Sequence, residues 1–321
     1  MLNRHFYRAR VLESIYAYMI SGETDILAAK DRLIESIEKL NDLHVYLISS
    51  MLEIQSMAFD IMEEAKQKYF PTEEDKNPNL YFVNNAVLVQ IANNEDYKTE
   101  SKRLKINWAF HRDILLDIYN GFRKSKAYAK HIESENSYES DKSIIISLLR
   151  NHILRSEQLF DIIIEKDLAW ETYYEIVAYS LIGFVKDYKE DDFSTKKLRK
   201  VFDNSSSMED HDDDRDMVEK IFTKVLEDEG FLDEIIQKRT FNWEIERIPL
   251  MDMIIIKMGL VELMYCPSIP VRVTLNEHIE LAKEFSTEKS RIFVNGILDK
   301  LTVDLKVMGK IKKTDESIEC L

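Results

Sequence analysis

Five consecutive residues, Asp210, His211, Asp212, Asp213 and Asp214, gather carboxylates around one imidazole, a set that could ligate a hard divalent cation. Such a site needs further ligands, and no second set stands at compatible spacing. The surrounding NSSSMEDHDDD therefore reads as a solvated loop that caps a helix starting near Arg215, where negative charge favours the positive end of the helix dipole. His44, His111 and His152 stand alone in helical stretches, without an H-E-x-x-H pair, and read as surface or hydrogen-bonded core residues. Cys266 and Cys320 form no C-x-x-C pair, which argues against zinc and against a disulfide framework and fits a reducing cytosol. The seven glycines, at 22, 121, 183, 230, 259, 296 and 309, are too dispersed for a phosphate-cradling loop. No nucleophile elbow appears, and among 59 acidic residues carboxylate pairs carry little information. The expectation is a protein that is not an enzyme and has no cofactor and no metal. What remains is local basicity: Arg4, Arg8 and Arg10 precede Glu13 in a chain of formal charge −15. A surface that acidic repels nucleic acid, so any RNA contact must come from a local basic patch or from a partner.

These residues need elements to position them. Glycine and proline (seven and five in 321 residues) are scarce, 45% of the chain is apolar, and helical periodicity runs through most of it. The fold class expected is all-α. Arg4 to Ile20 fits one helix with Leu12, Ile15, Tyr16 and Met19 on its apolar stripe, stopped at Ser21-Gly22. Helical stretches follow from Leu43 and near 80–92, 102–119, 143–160 and 169–187. Trp108, Trp170, Tyr173 and Tyr174 are expected to fill a core. The run MDMIIIKMGLVELMY, broken by Lys257 and Glu262, is shorter than the ~20 residues that span a bilayer, so no membrane association is expected. CPSIPVRV reads as an extended connector, and Thr274 with Glu277 as a capping box opening the next helix. Asn295-Gly296 is unexpected inside the last helix. Glycine there removes a side chain and permits close approach of another backbone, which suits helix–helix packing, with Asn295 capping or linking neighbouring segments.

Between Pro249 and Leu301 the stretches IIIKMGLVELMY, IPVRVTLNEHIELAKEF and SRIFVNGILDK follow in order. The series resembles the C-terminal half of the NusB transcription antitermination family, in which AxLRxAxYEL, IPxxVxINEAxELAKxF and SxxFVNGVLDK succeed one another. RARVLESIYAY resembles that family's first helix. The pattern departs at Glu13, where the family often has Gln, at Val261, where it often has Tyr, and at Lys289, where an acid is common. The resemblance covers residues 1–20 and 205–308. It implies a NusB-like helical bundle with a large helical insertion, 21–204, after the first helix, and a flexible tail over 309–321. Enlarged chains of this kind resemble those of the Bacteroidetes lineage.

The resemblance implies an antitermination factor that binds boxA RNA of ribosomal RNA operons together with NusE, a small-subunit ribosomal protein, in an RNA polymerase antitermination complex of the cytoplasm. It also suggests site residues. Arg4, Arg8 and Arg10 would contact phosphates. Tyr16 would stack or pack, and Arg291, Phe293 and Asn295 would face the RNA with Lys289 adding a cation. Asp252 and Glu262 lie on the helix that in the family helps meet its partner. The alternative is a helical adaptor that contacts RNA polymerase or ribosome-assembly proteins through the insertion. NusB-like domains also precede ribosomal RNA methyltransferase domains; with 20 residues after Leu301, that catalytic unit is not expected here.

Overall fold

The computed structural model describes residues 4–133, 135, 137–192, 197, 198, 200–202, 214–239 and 248–311. The 210–213 part of the acidic cluster, Cys320 and the tail beyond 311 lie outside the described residues. Described residues form helices and turns, without a strand. They make two compact units. One runs from Glu38 to Val201, and the other combines the described residues before and after that stretch. The boundary falls after the second helix, where the sequence suggested the first.

The terminal unit opens with α1 (Arg4–Ser21) and α2 (Ile26–Glu38). Gly22, at φ +68°, turns the chain out of α1 in a conformation that side chains resist. The central unit follows: α3 (Leu40–Lys66), α4 (Glu73–Lys76), α5 (Ala86–Ala92), α6 (Glu95–Arg103), α7 (Arg112–Arg123), α8 (Lys126–Glu133), α9 (Tyr138–Leu148), α10 (Glu157–Ile164) and α11 (Trp170–Lys186). Its spine is α3, which packs on α5, α6, α7 and α11. Trp108, Trp170, Tyr173 and Tyr174 are buried, as expected of helical aromatics. Two stretches expected to be continuous are broken. Over 102–119 the chain leaves α6 through Leu104 and Lys105, then makes a 3-10 turn at Ala109–His111 before α7. Over 143–160 a π-helical turn at Leu149–Ile153 separates α9 from α10. Periodicity alone does not reveal such breaks, because the apolar residues on both sides stay in phase with the core.

The chain returns to the terminal unit with α12 (Asp214–Glu227), α13 (Glu229–Gln237), α14 (Leu250–Tyr265), α15 (Val271–Phe285) and α16 (Glu288–Val307). Apolar all round, α14 takes the centre, packing on α1, α12, α15 and α16. Its one lysine, Lys257, is buried with its ammonium 2.9 Å from both Glu229 and Asp233 of α13. The expected capping box at Thr274 is not formed. Pro270 starts α15 earlier, since proline supplies a suitable φ and forfeits no needed donor. Thr274 is buried within the helix, its carbonyl accepting from His278 Nδ1 at 2.8 Å. CPSIPVRV is correspondingly helical from Val271 onward. The start of α16 is capped by a side chain, Thr287 Oγ1 accepting from the Ser290 amide at 3.1 Å.

Gly259 and Gly296 have opposite surroundings in this bundle. A Cβ on Gly259 of α14 would sit 2.9 Å from Leu298 Cδ2 of α16, so that glycine permits the helix contact. A Cβ on Gly296 would meet nothing within 4 Å, so the packing explanation for Asn295-Gly296 fails. Gly296→Ala should raise unfolding stability by ~0.5–1 kcal/mol, the usual gain on replacing a helix-interior glycine. Gly259→Ala should instead lower it by ~1 kcal/mol, because displacing buried Leu298 outweighs the helix gain. Denaturant melts of both variants check the contrast, and stabilisation by both would show that α14 and α16 are not closely packed.

Candidate functional site

The three arginines of α1 point to three different partners inside the terminal unit. Arg4 Nε lies 2.8 Å from Asp214 Oδ1, tying α1 to α12. Arg8 is 1% exposed and clamps Glu262 of α14 through two bonds, Nε to Oε2 at 2.7 Å and Nη2 to Oε1 at 2.8 Å. Its Nη1 reaches Glu277 Oε2 of α15 at 3.2 Å. Burial alone would lower the Arg8 pKa. The Glu262 charge and its hydrogen bond, helped by Glu277 and Cys266, more than offset that and hold the guanidinium above its ordinary value. Glu277 also faces His5 Nδ1 at 3.1 Å, and His5 Nε2 faces Glu284 at 3.0 Å. This network fastens α1 to α14 and α15. Arg8 therefore serves the fold in place of the phosphate contact expected of it, and Glu262, fully buried, has no surface to offer a partner. Asp252 is likewise enclosed, in the first turn of α14, so the expected partner contact is misplaced there too. Both expectations treated acidic residues as surface, whereas α14 has no solvent face to put them on.

Arg10 is placed differently. Its Nη1 meets Glu13 at 2.6 Å and its Nη2 donates to Ser36 Oγ of α2 at 2.9 Å. It lines an open groove of about 330 Å³ between α1 and α2, with Ser14, Tyr18, Arg32 and Ser36. Tyr16 is exposed and is not part of that lining. Arg32 and Tyr18 escaped the sequence reading because only the packing of α2 on α1 brings them to one groove.

On α16, residues advance about 100° each, so spacings of three and four share a face and a spacing of two does not. Lys289, Phe293, Gly296 and Lys300 share one face; Arg291 and Asn295 share another. The expected trio Arg291, Phe293 and Asn295 is thereby divided. Arg291 is paired with Glu288. The outward face carries Lys289 and Lys300, both exposed, with Ile292 (65% exposed) and Val303 (56%) on either side of the open Gly296. Phe293 is half-buried at its edge. Lys300, Ile292 and Val303 were not singled out from the sequence, although the period running from Lys289 carries that signal. Among the described residues no cluster of three metal-ligating side chains occurs, and no helix is long and apolar enough to cross a membrane.

The fold and these surfaces define an all-α protein whose terminal bundle is locked by buried ion pairs and presents a mixed basic and aliphatic helix face. Residues 167–302 match the model of the NusB family. That span takes in α11 and α12–α16, beginning well before residue 205, and leaves α1 outside. The chain is 38% identical over 104 residues to the transcription antitermination protein NusB of Salinibacter ruber, covering 32% of this chain and 65% of that protein. It is 35% identical over 104 residues to that of Chloroherpeton thalassium, spanning 49% of the relative. Against that of Bacillus subtilis it is 41% identical over 88 residues, 27% of this chain and 67% of the relative. The chain belongs to the NusB family. It spans about two thirds and one half of the first two of these relatives. No solved structure matches.

Replacing Arg8 with Met should strand Glu262 as a buried, uncompensated charge and cost ~3–5 kcal/mol of stability. A chemical denaturation midpoint equal to wild type would refute the fastening role.

Proposed function

We propose that this chain is a transcription antitermination factor that holds the boxA element of nascent ribosomal RNA together with NusE, as part of an RNA polymerase complex. The observation that carries the reading is the outward face of α16. A glycine in mid-helix costs stability, and Gly296 has no neighbour to justify it within the bundle. Flanked by Lys289 and Lys300, it leaves a shallow place where a sugar–phosphate backbone can approach two cations closely. Phe293 at the edge offers a ring for stacking. The arginines of the groove between α1 and α2 are paired as well, Arg10 with Glu13 and Arg32 with Glu23. Arg4 and Arg8, committed to Asp214 and Glu262, take no part.

At net charge −15 the protein must bind RNA weakly alone, and a basic ribosomal partner supplies attraction that this surface lacks. The test is a titration of boxA RNA across a salt series, with and without NusE. NusE should tighten binding. The double variant Lys289→Ala, Lys300→Ala should weaken it and flatten the salt dependence by about 1.4 in slope, at about 0.7 per single-strand phosphate contact. An unaltered slope would remove α16 from the RNA contacts, and unaltered affinity with NusE would remove the partner.

A further inference from the structure

The central unit contains a site that the reading above leaves unused. Where α6 ends, the Ile106 amide donates to the Ser101 carbonyl and the Lys105 amide to that of Lys102. This is a Schellman termination, whose left-handed residue is ordinarily glycine. Here it is Lys105, at φ +51°, the only non-glycine with positive φ among the described residues. A side chain in that conformation is strained, and glycine would relieve the strain.

The lysine side chain lines a cavity of about 170 Å³. The cavity walls include Tyr46 and Trp108, and Asn107, His111 and Lys166 join Lys105 around them. The aromatic walls are fixed before any ligand arrives. Trp108 Nε1 donates to Ser49 Oγ at 3.0 Å, and Tyr46 is held edge-on to Trp108 and tilted against Trp170, with centroids 6.4 and 5.6 Å away. Lys105 and Lys166 are exposed and make no ion pair among the described residues.

Size and chemistry suit a particular occupant. A cavity of ~150 Å³ holds one benzene ring, so the enclosed part of this one matches a single six-membered ring. Preformed aromatic walls suit a flat ring, and two unpaired ammonium groups suit an anion attached to it. From this geometry we infer that the central unit binds a pyrimidine nucleotide of single-stranded RNA, its base in the Tyr46–Trp108 cavity and its phosphate between Lys105 and Lys166. The choice of RNA rests on the proposed function; the position of the site does not.

The test uses the full chain and an oligouridylate carrying 4-thiouridine, with oligoadenylate as control. Photo-cross-links should map to the peptide containing 105–111, and oligouridylate should bind more tightly than oligoadenylate. Lys105→Gly should weaken binding about tenfold, the worth of one charge-assisted contact, while raising the melting temperature. Lys166→Ala should weaken it similarly, without that thermal gain. A Lys105→Gly protein that is more stable and binds equally well would overturn the site. Cross-links confined to α16 would do the same and leave the proposed function standing. Absence of RNA binding anywhere would sink both, and binding of an acidic aromatic peptide in place of RNA would reassign the cavity and end this proposal.

Discussion

The terminal bundle depends on one buried ion pair. Arg8 and Glu262 are 254 residues apart in sequence, and their two short hydrogen bonds join the first helix of the chain to the central helix of its last part. Desolvating both groups costs several kcal/mol per ion, which only close bidentate geometry with further hydrogen bonds can offset. Glu277 supplies one of those bonds, and His5 and Glu284 extend the network toward solvent. Such a pair adds little net stability over a well-packed apolar equivalent. It does penalise every alternative in which α1 docks elsewhere, since each leaves a charge buried alone. That penalty matters in a chain that places 164 residues, Glu38 to Val201, between the two halves of one bundle.

The same pair determines which cations remain for a polyanion. In a protein with 44 basic and 59 acidic residues, many cations find carboxylates. Arg4 meets Asp214, Lys257 meets Glu229 and Asp233, and Arg239 meets Asp304, whose carboxyl is held below its ordinary pKa by that hydrogen bond. Such pairs at the surface contribute little to stability but neutralise the local field. The outward face of α16 differs because its lysines stand beside aliphatic residues and an open glycine. A basic patch here is a matter of what surrounds a lysine more than of how many lysines there are.

How much of this was legible in the sequence varies with the distance over which each feature is decided. Helix existence depends on spacing within a few turns, and α1, α11, α12, α14 and α16 lie close to where periodicity puts them. Local punctuation was less secure. Thr274 and Glu277 fit a capping box in every respect except that Pro270 had already begun the helix. The roles of charged residues were least legible. Arg8 resembles any solvated helix arginine until its partner is known. Glu262 resembles a surface acid until α14 is seen to be enclosed on all sides. Arg291, Phe293 and Asn295 looked like one site because they are adjacent in the chain, whereas helical rotation places Phe293 away from the other two.

Helical rotation sets a more general constraint on the proposed RNA contact. A helix offers a ligand one face, so its contacts must recur at three and four residues, and Lys289, Phe293, Gly296 and Lys300 meet that requirement. Lys289 and Lys300 make no ion pair among the described residues, and Gly296 leaves the bundle's packing untouched. Arg8 is the opposite case. Any change that released its guanidinium to contact a phosphate would leave Glu262 buried without a counter-ion, so the two roles exclude each other. The proposed RNA contact is consequently left to side chains that the ion-pair lattice does not use. In this bundle Lys289 and Lys300, on the outward face of α16, meet that condition.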